Sequence, residues 1–213
     1  MPPFFDMAES SANSRLEAFC DGVFAIALTL LIIDIKIPPT LSEKIKTSQD
    51  LWLALKHITP SVFAFILSFS IILITWVNHH AALRLVNKSS APFIYANGFF
   101  LLTVVFFPFP TSLLGEYLLT DHASPAVVLY SACCALQAVG WNFLTLAAVK
   151  PILLTKNEKS TKPILQNHRY SYFAFTLYSI CAVLAIWFPH TIAIVITISW
   201  TIWLIMSFNM KGE

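Results

Sequence analysis

Charged residues divide this chain into long stretches that contain none, and those stretches constrain the fold more than any other feature. Residues 57–83, 89–115 and 122–149 carry no Asp, Glu, Lys or Arg, and residues 170–210 form one uncharged stretch of about double that reach. A shorter run, Gly22–Ile33, lies between Asp21 and Asp34 and becomes long enough when extended to Phe19 and Ile37. A helix needs about 20 apolar residues to cross about 30 Å of hydrocarbon. Of the 213 residues, 57% are hydrophobic and 11% charged, against about 25% charged in an ordinary soluble domain. Mean hydropathy is +0.73. The surface of a small body outgrows its core, so a chain this size could not hide so much apolar area from water. The composition excludes a disordered chain, a collagen, a disulfide scaffold and an ordinary soluble enzyme. It predicts an all-α integral membrane protein.

Phe188-Pro189-His190 falls near the middle of the longest uncharged stretch and suits a turn between two helices. Six transmembrane helices result, at about 17–37, 58–82, 91–115, 124–149, 170–188 and 190–209, in a single domain over 1–213. Pro108 and Pro110 are expected to kink or end the third span. Pro60 and Pro125 suit first turns of helices, and Pro38-Pro39, Pro151 and Pro163 mark loops. Trp52, Trp76, Trp141, Trp187 and Trp200 fall mostly toward span ends, as in interfacial belts. No internal repeat is visible, and the loops leave no room for a soluble domain.

Lys and Arg set the orientation. With a cytoplasmic N-terminus, the inside holds Arg15, Arg84, Lys88, Lys150, Lys156, Lys159, Lys162, Arg169 and Lys211. The outside holds only Lys36, Lys44, Lys46 and Lys56. Both termini are therefore expected in the cytoplasm, with no cleavable signal peptide. A net charge of +2 gives a nucleic-acid partner little support. Cys20, Cys133, Cys134 and Cys181 all lie in apolar stretches without a C-x-x-C pair, which fits buried, inert thiols.

The first span carries the most informative polar residues. At about 100° per residue, Arg15, Phe19, Gly22, Ile26, Leu30 and Ile33 share one face, with Thr29 on its flank. Glu17 and Asp21 lie on roughly the opposite face. An ionisable group at membrane depth faces protein or water, so this helix is expected to have two protein-facing sides. In the predicted topology Asp21, His79 or His80, and Asn97 share one layer near the cytoplasmic side, where a His–carboxylate–Asn network would offset the cost of placing them there. Other readings stand beside this one. Asp21 could snorkel at a helix end. Adjacent histidines at a span end are commonly interfacial or structural rather than metal ligands. An Ile/Leu face serves either packing or a pore.

Arg15-x-x-x-Phe19-Cys20-Asp21 resembles the R-x-x-x-F-S-D signature of the transmembrane protein 175 family, the endosomal and lysosomal potassium channels with bacterial and archaeal relatives. Gly22-Val23-Phe24-Ala25-Ile26-Ala27 and Trp76-Val77-Asn78-His79-His80 are similar to the same family, and the likeness covers the first three spans. Animal members carry two fused six-helix repeats, so a single set resembles a prokaryotic member. The resemblance implies a homotetramer in a prokaryotic plasma membrane, with the first helices lining a central pore. It implies that the signature, Arg15, Phe19, Cys20 and Asp21, holds that helix against its neighbours; with the layer read above, Trp76, His79, His80 and Asn97 are the candidate partners across the helices. It also implies a hydrophobic constriction at Ile26, Leu30 and Ile33, with Thr29 a further candidate. Cys20 stands where the family has serine, so a hydroxyl bond there is lost or weakened, a thiol being a poor donor and acceptor.

No Thr-Val-Gly-Tyr-Gly-like segment occurs, and the five glycines are scattered, so a carbonyl filter is not available. Asp21 points away from the proposed axis, leaving no ring of acids there. Selection would come from a narrow apolar throat, where potassium sheds water at lower cost than sodium; moderate potassium preference and closure by dewetting follow. Thr29 hydroxyls could supply part of a replacement shell. No Arg-rich span exists for voltage sensing. No cofactor or structural metal is implied, only permeant monovalent cations and surrounding lipid. A secondary transporter is the main rival class, although the span midplanes hold almost no charge and only one helix is visibly broken. A membrane-embedded enzyme would need a metal or haem site, and the six histidines lack H-E-x-x-H or H-x-x-H-H spacing.

Overall fold

A computed structural model describes residues 4–150, 154–156 and 158–209, with side chains described for 14–150, 154–156 and 159–207. Pro151 and Lys211 lie outside the described residues. Within them the chain is helical, with one isolated backbone bridge, Val86 to Thr155, and no strand. The helices are α1 (Phe4–Leu30), α2 (Pro39–Ser42), α3 (Ser48–His57), α4 (Thr59–Arg84), α5 (Ala91–Phe106), α6 (Pro108–Tyr117), α7 (Ala123–Val149), α8 (Glu158–Leu184) and α9 (Pro189–Asn209). Thr59–Arg84, Ala91–Tyr117, Ala123–Val149 and Pro189–Ser207 are each long and apolar enough to cross a membrane.

Local chemistry explains the breaks. Pro108 has no N–H for the Val104 carbonyl, and the Phe107 N–H takes that carbonyl instead at 3.2 Å. Phe107 keeps helical dihedrals, φ −59° and ψ −33°, so α5 and α6 follow one another as a single kinked rod. Ser90 caps α5 by accepting from Phe93 N at 3.3 Å. The chain turns at 185–188 between α8 and α9.

Several features differ from the sequence-based expectation, among them that α8 begins at Glu158 rather than near residue 170 and that Pro39, expected in a loop, opens the short α2. Regular helix in α1 ends at Leu30, where a span to residue 37 was expected; the Ile33 N–H reaches back only three residues to Leu30 O at 3.1 Å, a tight turn that closes the helix. Pro163, expected in a loop, lies inside α8. It falls within the first two turns or so, where only one ladder bond is forfeited. Trp141 and Trp200, expected near span ends, pack partly buried against the core, with Trp141 4.7 Å from the Phe100 ring.

The core lies where α4, α5, α6 and α7 meet; one stripe of α1 closes it on one side, and Tyr178 and Cys181 of α8 with Ile192 and Ile196 of α9 extend it on another. In this apolar interior the Tyr130 hydroxyl meets Ser68 Oγ at 2.8 Å, and Thr111 Oγ1 donates to Ser68 Oγ at 2.7 Å. The three hydroxyls satisfy one another and link α4, α6 and α7. Glycine lets two helix pairs close. A Cβ at Gly115 would stand 2.7 Å from the Ser61 backbone, and one at Gly140 would stand 3.1 Å from Phe100 Cα.

Most cationic side chains gather at one end. Arg84 ends α4 and Lys88 follows it, Lys150 and Lys156 follow α7, and Lys159, Lys162 and Arg169 lie in the N-terminal half of α8. Backbone bonds from Asn87 N to Leu154 O (2.8 Å) and from Lys156 N to Leu85 O (3.0 Å) join these connections. Lys36, Lys44, Lys46 and Lys56 lie at the other end, between α1 and α4.

Candidate functional site

From Cys20 onward, every third or fourth residue faces the core: Cys20, Phe24 and Ala27 of α1, and Leu31 in the turn that follows it, are buried against α4 and α5, as a 3.6-residue period demands. The opposite stripe has no cover among the described residues. Phe19 is 61% exposed, Ile26 58% and Leu30 37%, and Arg15, Gly22, Ala25 and Thr29 lie exposed among them. A Cβ added at Gly22 would meet nothing within 4 Å. Arg15 makes no ion pair with the described carboxylates. The Thr29 hydroxyl donates to Ile26 O at 2.9 Å, which ties its proton to the helix and leaves oxygen lone pairs outward. Ile33 is also exposed, at 53%, but it stands in the turn past α1, so it leaves the helical register shared by Ile26 and Leu30.

The flank of α1 between its two stripes carries the acids, and α4 receives them. Asp21 Oδ1 accepts the indole N–H of Trp76 at 2.8 Å. Glu17 Oε1 lies 3.1 Å from His80 Nδ1, with both side chains about one-third exposed. Glu17 and Asp21 are one turn apart on α1, as are Trp76 and His80 on the antiparallel α4, so the two pairs form successive rungs. The Trp76 and His80 rings also lie side by side, tilted at 36° with centroids 5.9 Å apart.

The third polar group lies deeper. His79 Nε2 and Asn97 Oδ1 are 2.7 Å apart, and Asn97 Nδ2 donates to Cys20 Sγ at 3.2 Å. An amide oxygen only accepts, so His79 Nε2 carries the proton. His79 is fully buried, stacked on Phe100 at 5.2 Å with a 6° interplanar angle and tilted against Phe24 and Trp141. Cys20, Asn97 and His79 thus join α1, α5 and α4 through a chain of bonds, in which the Cys20 thiol is the acceptor.

Asp21, the two histidines and Asn97 therefore lie at one level but do not form one network. Consecutive residues on a helix diverge by about 100°. His79 turns to α5 and His80 to α1, while Asp21 bonds Trp76 rather than either histidine. Glu17 is a member the sequence reading left unpaired; its match in spacing with Trp76 and His80 was the available signal. Among the described residues, no three His, Cys, Asp or Glu side chains converge as a metal site would require.

Residues 15–108 match the model of the family described as endosomal/lysosomal potassium channel TMEM175. A protein named potassium channel from Chamaesiphon minutus is 44% identical over 136 residues, covering 64% of this chain and 66% of that protein. One with the same name from Streptomyces collinus is 40% identical over 136 residues, covering 61% and 64%. These matches take in just under two thirds of each relative's length. The crystal structure of a lysosomal potassium-selective channel TMEM175 homologue from Chamaesiphon minutus superposes with a TM-score of 0.76 at 33% identity, covering 91% of this chain and 98% of that one.

Proposed function

The chain belongs to the TMEM175 family, and from that premise we propose that it assembles as a homotetramer forming a potassium-permeable cation channel, with α1 of each subunit at the central axis. It is a multi-pass membrane protein. In the proposed arrangement α1 and α8 join the four most apolar rods as the remaining spans. Both termini and the cation-rich end face the cytoplasm of a prokaryotic cell, following the excess of Lys and Arg there.

One observation carries this reading. α1 buries Cys20, Phe24 and Ala27, turns its acids to α4, and leaves Phe19, Gly22, Ile26 and Leu30 uncovered. A fourfold axis gives that stripe neighbours and lets Phe19 and Gly22 pack between subunits. Ile26 and Leu30 are one turn, about 6 Å, apart along the helix and form the throat. A cation entering it gives up part of its hydration to branched hydrocarbon. Potassium holds water less tightly than sodium and crosses at lower cost, so selectivity is moderate and closure by dewetting is available. Thr29, between the two rings, offers lone pairs to the partly dehydrated ion. Ile33 contributes at the outer mouth from its turn rather than as a third helical ring. Asp21 is held by Trp76, so the throat carries no acid and no cofactor is required. Arg15 is placed to meet a carboxylate of the adjacent subunit.

Mass measurement of the purified complex in detergent, paired with potassium flux from liposomes made with the same sample, tests the reading. Four chains of 23.9 kDa per particle and a flux proportional to driving force are expected. A monomer, or saturable coupled uptake, overturns it.

A further inference from the structure

α8 and α9 leave an open groove of about 840 Å³ between them, and its two ends differ in chemistry. At the cation-rich end its α8 rim carries Lys162, Gln166 and Arg169. Seven positions separate Lys162 from Arg169, which places both on one face about 10 Å apart along the helix. Neither forms an ion pair among the described residues, and no Asp or Glu lines the groove. Beyond the cations the walls become largely apolar, with Phe173 and Leu177 from α8 and Ile202 from α9, and Ser199 the one hydroxyl among them. Between the two zones sit Tyr170, which accepts from Gln166 Nε2 at 3.0 Å, and Trp203, edge-on to Tyr170 at 5.8 Å. Tyr and Trp favour the boundary between hydrocarbon and headgroups, which fixes the level of the bilayer surface at this pair.

We propose that this groove is a binding site for one anionic phospholipid, its phosphate held by Lys162 and Arg169 and its acyl chains laid along Phe173, Leu177 and Ile202. Arg presents a planar fork of donors that matches phosphate oxygens, and Lys adds a mobile charge at the outer edge. Basic pockets between spans at the cytoplasmic surface recognise anionic headgroups in this way. A free inorganic anion would use the cations but not the greasy continuation of the groove; a diacyl lipid uses both. Lys150, Lys156 and Lys159 lie at the same end and add to the attraction. The assignment rests on the proposed position of α1 at the axis. α1 packs on α4 and α5, whereas α8 packs chiefly on α7, so the α8–α9 groove then opens on the outer rim.

Native mass spectrometry of the full-length complex, offered equal amounts of phosphatidylglycerol and phosphatidylethanolamine, tests the site. Wild type should retain phosphatidylglycerol at least about fivefold over phosphatidylethanolamine. The Lys162→Gln/Arg169→Gln double variant should bring the ratio close to one, while Lys44→Gln/Lys46→Gln at the other end leaves it unchanged. Should the double variant give no protein, Arg169→Gln alone is read against the same expectation of a reduced ratio. Equal retention by wild type, an unchanged ratio in the α8 variants, or displacement of the lipid by excess inorganic phosphate overturns the proposal. Binding is read in detergent and flux in liposomes, so the two readings fail separately. Lipid preference without conduction strikes only the channel, and conduction without lipid preference strikes only this site.

Discussion

Asp21 Oδ1 accepts the Trp76 indole N–H at 2.8 Å, so the acid of the first helix is committed to α4 and turned from the uncovered stripe of its own helix. Trp76→Phe keeps the ring and removes the donor. Leaving a part-buried carboxylate without this partner should cost about 1–3 kcal/mol, seen as a lower unfolding midpoint in detergent. Asp21→Asn keeps an acceptor oxygen and should leave the potassium-to-sodium permeability ratio unchanged. A ratio altered by Asp21→Asn would place this side chain in the ion path.

Cys20 accepts from Asn97 Nδ2 at 3.2 Å, and both side chains are buried. Cys20→Ala should orphan that donor and destabilise by about 1–3 kcal/mol. Cys20→Ser offers a better acceptor and should match or exceed wild type in thermal unfolding. Equal midpoints for the Ala and Ser variants would show that the Asn97 contact contributes nothing.

Gly115 and Gly22 should answer differently to the same added methyl. At Gly115 the new Cβ would press on the Ser61 backbone at 2.7 Å, and forcing α4 from α6 should cost about 1–3 kcal/mol. At Gly22 nothing among the described residues is near, and a helical Gly→Ala change favours the helix by up to about 1 kcal/mol. Gly22→Ala should therefore spare the subunit but weaken the tetramer or reduce conductance, read by mass measurement and flux. Unaltered assembly and conductance would mean that no second chain packs at Gly22.

Asp50 closes the capping box of α3, accepting from Thr47 Oγ1 at 2.8 Å and from the backbone N–H groups of Thr47 and Lys46. These bonds, the Thr47 hydroxyl first, hold its carboxyl below the usual carboxylate range. Protonation loosens the cap, so its contribution is complete above the ordinary carboxylate pKa of about 3.9 and fades as pH falls through the depressed folded value. Hydrogen exchange in the first turn of α3, corrected for intrinsic rate, should accelerate severalfold in that acid window and do so at all pH values in Asp50→Ala. Protection in wild type that is flat with pH would contradict this.

The division of α1 into two faces was legible because acids and branched apolar residues alternate at helical spacing, and membrane depth penalises a misplaced acid. Its end was not. Ile32 and Ile33 continue the apolar run, and nothing in hydropathy marks the turn that closes at Leu30. The charge-free intervals located α4, α7 and α9 closely, but the same method truncated α8, whose first twelve residues include four charged side chains and are helical all the same. It also passed over α3, although Thr47-Ser48-Gln49-Asp50 spells the capping box that starts it. Which histidine serves which partner depends on how α4 is rotated against α1 and α5, a tertiary quantity that no single helix contains.

Reversal potentials under opposed potassium and sodium gradients, compared among wild type, Ile26→Asn and Ile194→Asn, bear most directly on the throat. Both isoleucines are exposed to a similar degree in one subunit, 58% and 62%, but on different helices. Ile26→Asn should wet the constriction and bring the potassium preference toward unity, with Ile194→Asn equal to wild type. A wild-type ratio retained by Ile26→Asn, in protein that still assembles and conducts, would contradict a dehydrating constriction at this ring.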